Sequence, residues 1–220
     1  MITTYCAVLL LLAVAYLLGS IPSAVWIGRR YYGIDIREHG SKNAGATNML
    51  RVLGFKAALP VFIIDILKGF VAVSLMALLE PYTDITAAWL INCKIFAVIC
   101  AVLGHIFPVF ASFKGGKGVS TLVGAITGIE PQLALLCFAI WLVVYLITHY
   151  VSLSSIVAGC CFPIFVAIFS IVAYREEGSW SLLFLLFSVV VALLLVWTHR
   201  TNIKRLREGT EPRTYIRKNR

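Results

Sequence analysis

"TYCAVLLLLAVAYLLGSIPSAVWIGRR" (Thr4–Arg30) decides what kind of protein this is. A secretory signal peptide carries a basic stretch ahead of its apolar run. Here none precedes it, and Arg29 and Arg30 follow as a stop-transfer flank. The segment reads as a retained membrane helix. The rest of the 220 residues has the same character: 60% are hydrophobic and 13% charged, against ~25% charged in soluble domains. At ~20 apolar residues per crossing, seven spans are expected: Thr4–Gly28, Ala57–Leu79, Ile85–Phe110, Val119–Ile129, Leu133–Tyr150, Leu153–Tyr174 and Trp180–Trp197. The expected fold is an all-α integral membrane protein with seven transmembrane helices in a single polytopic domain, 1–220. The fourth span is short for a crossing and reads as re-entrant or bilayer-thinning. The six cysteines fall inside apolar runs without metal-site company and read as small hydrophobes.

Charge sets the expected orientation. The loop Arg29–Lys56, the loop Ala111–Gly118 and the tail His199–Arg220 hold six, two and eight of the 19 lysines and arginines. The opposite side keeps Arg175 against Glu80, Asp84, Glu130, Glu176 and Glu177. Basic loops stay cytoplasmic. The N-terminus is therefore expected outside and the C-terminus inside. A net charge of +9 gathered on one face favours anionic headgroups and anionic substrates.

Three polar clusters share that face. In "DIREHGSKNAGATNML" (Asp35–Leu50), followed by Arg51, the residues Arg37, Ser41, Asn43, Asn48 and Arg51 could converge on one polar ligand, with Thr47 or Asn48 capping a short helix. "GHIFPVFASFKGGKGVST" (Gly104–Thr121) offers Gly115, Gly116 and Gly118 for an anion-binding nest of backbone N–H groups, Lys114 and Lys117 as point charges, and a helix N-terminus at Val119. It is not a nucleotide P-loop, because Ala111 stands where the first glycine belongs. "HRTNIKRLREGTEP" (His199–Pro212) places His199, Asn202 and Arg205 three apart, on one helical face. Inside the bilayer, Asp65 and Lys68 are spaced to pair, since an unpaired charge there costs ~2.5–3.5 kcal/mol.

Taken together, "LLGSIPSA", "GSKNAGATN", "DILKG", "GHIFPVFASFKGGKGVST" and "HRTNIKRLREGTEP" resemble the bacterial membrane acyl-phosphate:glycerol-3-phosphate acyltransferases, the PlsY family, over nearly the whole chain. The resemblance implies transfer of a fatty acyl group from acyl phosphate to the 1-hydroxyl of sn-glycerol 3-phosphate. The products would be lysophosphatidic acid and phosphate, an early step of phospholipid synthesis. It implies an active site at the cytoplasmic face of the bacterial inner membrane. It implies no metal or other cofactor, no nucleic acid, contact with membrane lipids, and a functional link to an enzyme that makes acyl phosphate. By motif position it marks Ser41, Arg51, His199 and Asn202 as catalytic. It marks Lys114 to Gly118 and Arg205 as substrate-binding and Glu211 as structural, while the residue reading itself adds Arg37, Asn43 and Asn48 as substrate-binding and Asp65 and Lys68 as structural support. The H-x-x-x-x-D pair of many other glycerolipid acyltransferases is absent: Ala44, Phe110, Ser154 and Lys204 stand five residues after the four histidines.

Both substrates carry phosphate, which accounts for paired basic clusters. Three groups could take the hydroxyl proton: His199, a substrate phosphate, or Ser41 as part of a covalent route. The substrate phosphate is favoured, because no carboxylate neighbours His199 in sequence. Ser41 ranks last, having no adjacent base. The rival class is an organic-anion transporter, kept in view by Asp65, Lys68 and Lys94 at membrane depth.

Overall fold

The computed structural model describes residues 2–81, 86–172 and 182–215. The expected limits at Ile85, Tyr174 and Trp180, the loop charges Asp84, Arg175, Glu176 and Glu177, and the last tail residues lie outside them. The chain divides into two compact units, Met1–Pro131 and Gln132–Arg220.

The first unit holds α1 (Ile2–Gly19), α2 (Ser23–Tyr32), α3 (Ala46–Leu53), α4 (Phe55–Ser74), α5 (Ala87–Ile106) and α6 (Val119–Ile129). The second holds α7 (Pro131–Thr148), α8 (Val151–Val172), α9 (Leu182–Thr198) and α10 (Arg200–Arg207). Five helical stretches among the described residues are long and apolar enough to cross a membrane, or six if α9 and α10, bent by 58°, count as one. Large apolar side chains such as Leu9, Leu10, Ile147 and Leu193 stand exposed on them. In water that surface would aggregate; in lipid it is the solvated face. The protein is an integral, multi-pass membrane protein. The expected fourth crossing is α6, whose 11 residues rise only about 16 Å, roughly half the hydrocarbon thickness.

The expected first span is broken. α1 ends at Gly19 and α2 begins at Ser23, with Pro22 as its N-cap residue. Proline lacks the N–H needed to continue the ladder. Carbonyls near the break lose their helical donors, and Lys68 supplies one: its Nζ donates to the Ile21 carbonyl at 2.8 Å. The same ammonium lies 2.8 Å from Asp65 Oδ1, which also accepts the Ser23 hydroxyl at 2.7 Å. Asp65 and Lys68 thus form the expected pair, and they tie α4 to the break and to the start of α2.

Small residues let the helices meet closely. An added Cβ on Gly19 would strike the Ala101 backbone, and one on Gly104 the Tyr16 carbonyl, so α1 and α5 touch main chain to main chain. Gly69 against Thr121 and Gly124 against Ile66 do the same for α4 and α6. Without a hydrophobic drive between helices in lipid, such contact is what holds them. Gly124→Ala is expected to force α6 away from α4, costing about 1–3 kcal/mol. It should appear as a lower midpoint of thermal unfolding in detergent. An unchanged midpoint would refute the close approach.

Candidate active site

The residues marked by sequence fall into two groups, one in each unit. In the first unit the polar segment before α3 is organised by Asn48, which is 1% exposed. Its Oδ1 accepts the Ser41 N–H at 2.9 Å. Its Nδ2 lies 3.0 Å from the carbonyls of Ile36, His39 and Asn43. Asn48 is committed to shaping this loop, which presents Ser41 and Asn43 half-buried. The helix cap expected from Thr47 or Asn48 is not formed. α3 starts at Ala46, with Gly45, two residues before Thr47, in extended conformation as its N-cap residue. Arg51 lies half-buried in the last turn of α3.

Arg37 is placed against protein groups. Its guanidinium grips the Asp35 carboxylate, with Nη2–Oδ2 at 2.7 Å. It reaches the carbonyls of Ala111 at 2.9 Å and Lys114 at 3.3 Å. It therefore ties this loop to the glycine-rich one. The Arg37 hydrogen bonds, joined by Arg29, hold the Asp35 carboxyl well below the usual carboxylate range against a smaller opposing effect of burial. Asp35 was missed in the sequence, though its spacing of two from Arg37 was a usable signal.

The glycine-rich loop differs from a simple nest. The Gly115 N–H donates to the Ile106 carbonyl and the Gly116 N–H to the His105 carbonyl, each at 3.1 Å. Both donors expected to face an anion instead finish the end of α5. Their lack of side chains serves close packing: a Cβ on Gly115 would strike the His105 carbonyl, and one on Gly116 the His105 ring. Gly118 has φ +81° and caps α6 in the left-handed region, where glycine is favoured. Anion attraction at this loop therefore rests on exposed Lys114, half-buried Lys117 and the N-terminus of α6. Ser112 and Phe113 just before it have φ of +55° and +57°, a costly conformation for residues with side chains.

In the second unit, Asn202 and Arg205 lie on the last helix and meet the same carboxylate, Glu211, while His199 is the N-cap residue at the bend before it. His199 is 3% exposed, and its Nδ1 lies 2.8 Å from the Leu195 carbonyl. A carbonyl only accepts, so Nδ1 carries the proton and Nε2 is the ring's acceptor. Glu211 binds the face together. Its Oε1 accepts from Asn202 at 2.7 Å and Ser152 at 2.8 Å, and its Oε2 from the Arg205 Nε at 2.6 Å. Burial raises the Glu211 carboxyl, but the hydrogen bonds from Arg205, Asn202 and Ser152 outweigh it and hold the group below its ordinary value. The following residues are clasped to the end of α7: the Tyr145 hydroxyl donates to the Thr214 carbonyl at 2.8 Å, and the Thr214 N–H to His149 at 2.9 Å. Ser152 went unmarked because nothing in "THYVS" shows that its hydroxyl meets a carboxylate 59 residues on.

The chain is similar to known proteins over nearly its full length. A family model described as glycerol-3-phosphate acyltransferase matches residues 9–209. A glycerol-3-phosphate acyltransferase of Chlorobaculum parvum is 44% identical, covering 93% of this chain and 95% of that protein. One of Chlorobium phaeobacteroides is 42% identical, over 92% and 94%. Among solved structures, the glycerol 3-phosphate form of PlsY, an integral membrane glycerol 3-phosphate acyltransferase, is 36% identical. It superposes with a TM-score of 0.79 over 95% of this chain and 96% of that one. The lysophosphatidic acid form matches at 0.76 with 35% identity, over 96% of each. With the sequence motifs, the fold and these likenesses in agreement, the chain belongs to the glycerol-3-phosphate acyltransferase family.

Proposed function

We propose that this protein transfers a fatty acyl group from acyl phosphate to the 1-hydroxyl of sn-glycerol 3-phosphate, giving lysophosphatidic acid and phosphate. Acylation of glycerol 3-phosphate, an early step of phospholipid synthesis, is the activity of the family. The observation that carries it is the likeness, over almost the whole chain, to an enzyme solved in both glycerol 3-phosphate and lysophosphatidic acid forms. The donor and the hydroxyl are the finer part of the reading, and paired basic clusters suited to two phosphate-bearing substrates support them.

An acyl phosphate is a mixed anhydride, so its phosphate is already a good leaving group. The glycerol oxygen forms a bond to the acyl carbon, the bond from that carbon to the phosphate oxygen breaks, and the hydroxyl proton passes to a phosphate. Placing the hydroxyl against the carbonyl supplies ~7–11 kcal/mol of the barrier reduction. In this reading Lys114 and Lys117, beside the glycines, hold a phosphate. Ser41, Asn43 and Arg51 orient a substrate, and Arg37 and Asn48 hold the two loops in shape. His199 and Asn202 position the reacting groups, while Arg205 and Glu211 fix that face. The proton acceptor in this reading is a substrate phosphate, whose second ionisation lies near neutral pH and which both substrates bring with them.

The test uses purified protein in detergent, with no vesicle. Acyl phosphate plus glycerol 3-phosphate is expected to yield lysophosphatidic acid and phosphate in equal amounts, and an acyl thioester none. Product from the thioester alone would overturn the donor assignment. No product from either would leave the transporter.

The whole chain acts as one membrane domain in the bacterial cytoplasmic membrane, supplied by an enzyme that makes acyl phosphate. Its basic loops face the cytoplasm, the N-terminus lies outside, and the chain crosses seven times. Single cysteines at Glu38 and Thr210 in a cysteine-free background should resist an impermeant thiol reagent applied to intact cells and react after permeabilisation. Labelling from outside would reverse the orientation.

A further inference from the structure

His105 carries no part in the reaction as drawn, yet the glycine-rich loop is built around it. It closes the last turn of α5 and is 7% exposed. Its carbonyl accepts the Gly116 N–H at 3.1 Å. Its ring Nδ1 lies 3.0 Å from the Thr121 hydroxyl in the first turn of α6, and 3.7 Å from Asp65 Oδ1. The far edge of the ring, Nε2, packs against Gly116 so tightly that a methyl there would collide with it and with the Ala44 carbonyl. A buried ring with polar partners on two helices and a loop across its edge cannot turn without stranding one of them.

We propose that His105 and Thr121 are positioning residues: their buried imidazole–hydroxyl contact fixes the loop Lys114–Gly118 relative to the start of α6 and so sets how tightly that loop holds a substrate phosphate. This rests on the reading of the loop as a phosphate site. The physical reason is entropic. A segment with three glycines in four positions has the most backbone freedom to lose on ordering. Where packing has already ordered it, binding does not bear that cost. Removing the contact therefore weakens substrate binding and leaves the chemical step alone.

The experiment measures kcat and the KM of each substrate for Thr121→Val, Thr121→Ser, His105→Phe and Lys114→Gln in detergent. Thr121→Val keeps shape and loses only the hydroxyl. It is expected to raise the KM of one substrate about tenfold, the worth of one buried hydrogen bond, with kcat within about threefold. Thr121→Ser keeps the hydroxyl and should restore that KM. His105→Phe should raise the same KM at least as far; should it fail to fold, the valine and serine pair decides alone. Lys114→Gln separates the two ideas. If it raises a KM while Thr121→Val changes none, or if Thr121→Val lowers kcat alone, the positioning role is wrong and the phosphate site stands. If Lys114→Gln leaves both KM values unchanged, the phosphate reading of the loop falls and the positioning role with it.

Discussion

An enzyme carrying His199→Gln is expected to keep a measurable kcat that still climbs with pH, whereas His199→Ala loses about 10²-fold or more. Glutamine retains a polar end that can donate to the Leu195 carbonyl or hold a substrate oxygen, but it cannot accept a proton near neutral pH. If the imidazole were the base, both variants would fall together and the pH dependence of the residual rate would vanish. If a substrate phosphate is the base, its second ionisation still governs the glutamine enzyme. The second outcome is expected, because both substrates bring a phosphate of their own. The measurement is kcat against pH for the wild type and both variants. A flat residual rate in the glutamine enzyme would return the proton to His199.

Glu211→Ala is expected to destabilise the second unit by about 3 kcal/mol and to reduce activity with it. Asn202, Ser152 and Arg205 all lose their acceptor, and the first two are buried. Glu211→Gln should fall between. Its amide oxygen can still take Asn202 and Ser152, but its NH2 then faces the Arg205 donor. The wild-type network is also pH-dependent. The Glu211 carboxyl is held below its ordinary 4.5 in the folded chain. Its contribution is therefore complete above about pH 5 and is lost as pH falls through 4.5 toward the folded value. Thermal midpoints of the three proteins at pH 7 and pH 4 read both effects. The difference between wild type and Glu211→Ala should shrink at pH 4. Equal midpoints at pH 7 would show that the contacts contribute nothing.

What the sequence revealed depended on how far apart the partners stand. Asp65 and Lys68 are three apart on one helix, and Asn202 and Arg205 three apart on another, so spacing alone found both pairs. His105 escaped because its partners Thr121 and Asp65 belong to other helices, 16 and 40 positions away. Asn48 was found, but its hold on the loop around it was not. An amide among small polar residues looks like a ligand for substrate, and only coordinates show its atoms engaged by four main-chain groups. The nest at Gly115 and Gly116 failed for a related reason. Glycine spacing shows that N–H groups can converge, not that carbonyls at the end of α5 have already claimed them. The break in the first span was written in Gly19 and Pro22, but the uninterrupted apolarity of the run concealed it.

The ammonium at that break has an electrical consequence. A helix interrupted inside a bilayer exposes carbonyl oxygen, the kind of atom that strips water from a passing cation. Here a covalently tethered positive charge already occupies that oxygen, neutralised by an adjacent carboxylate. The Ile21 carbonyl, held by this ammonium and by the Ser23 N–H, offers a mobile cation no open acceptor. Lys68 thus fills the acceptor left open at the point where the helix is least continuous.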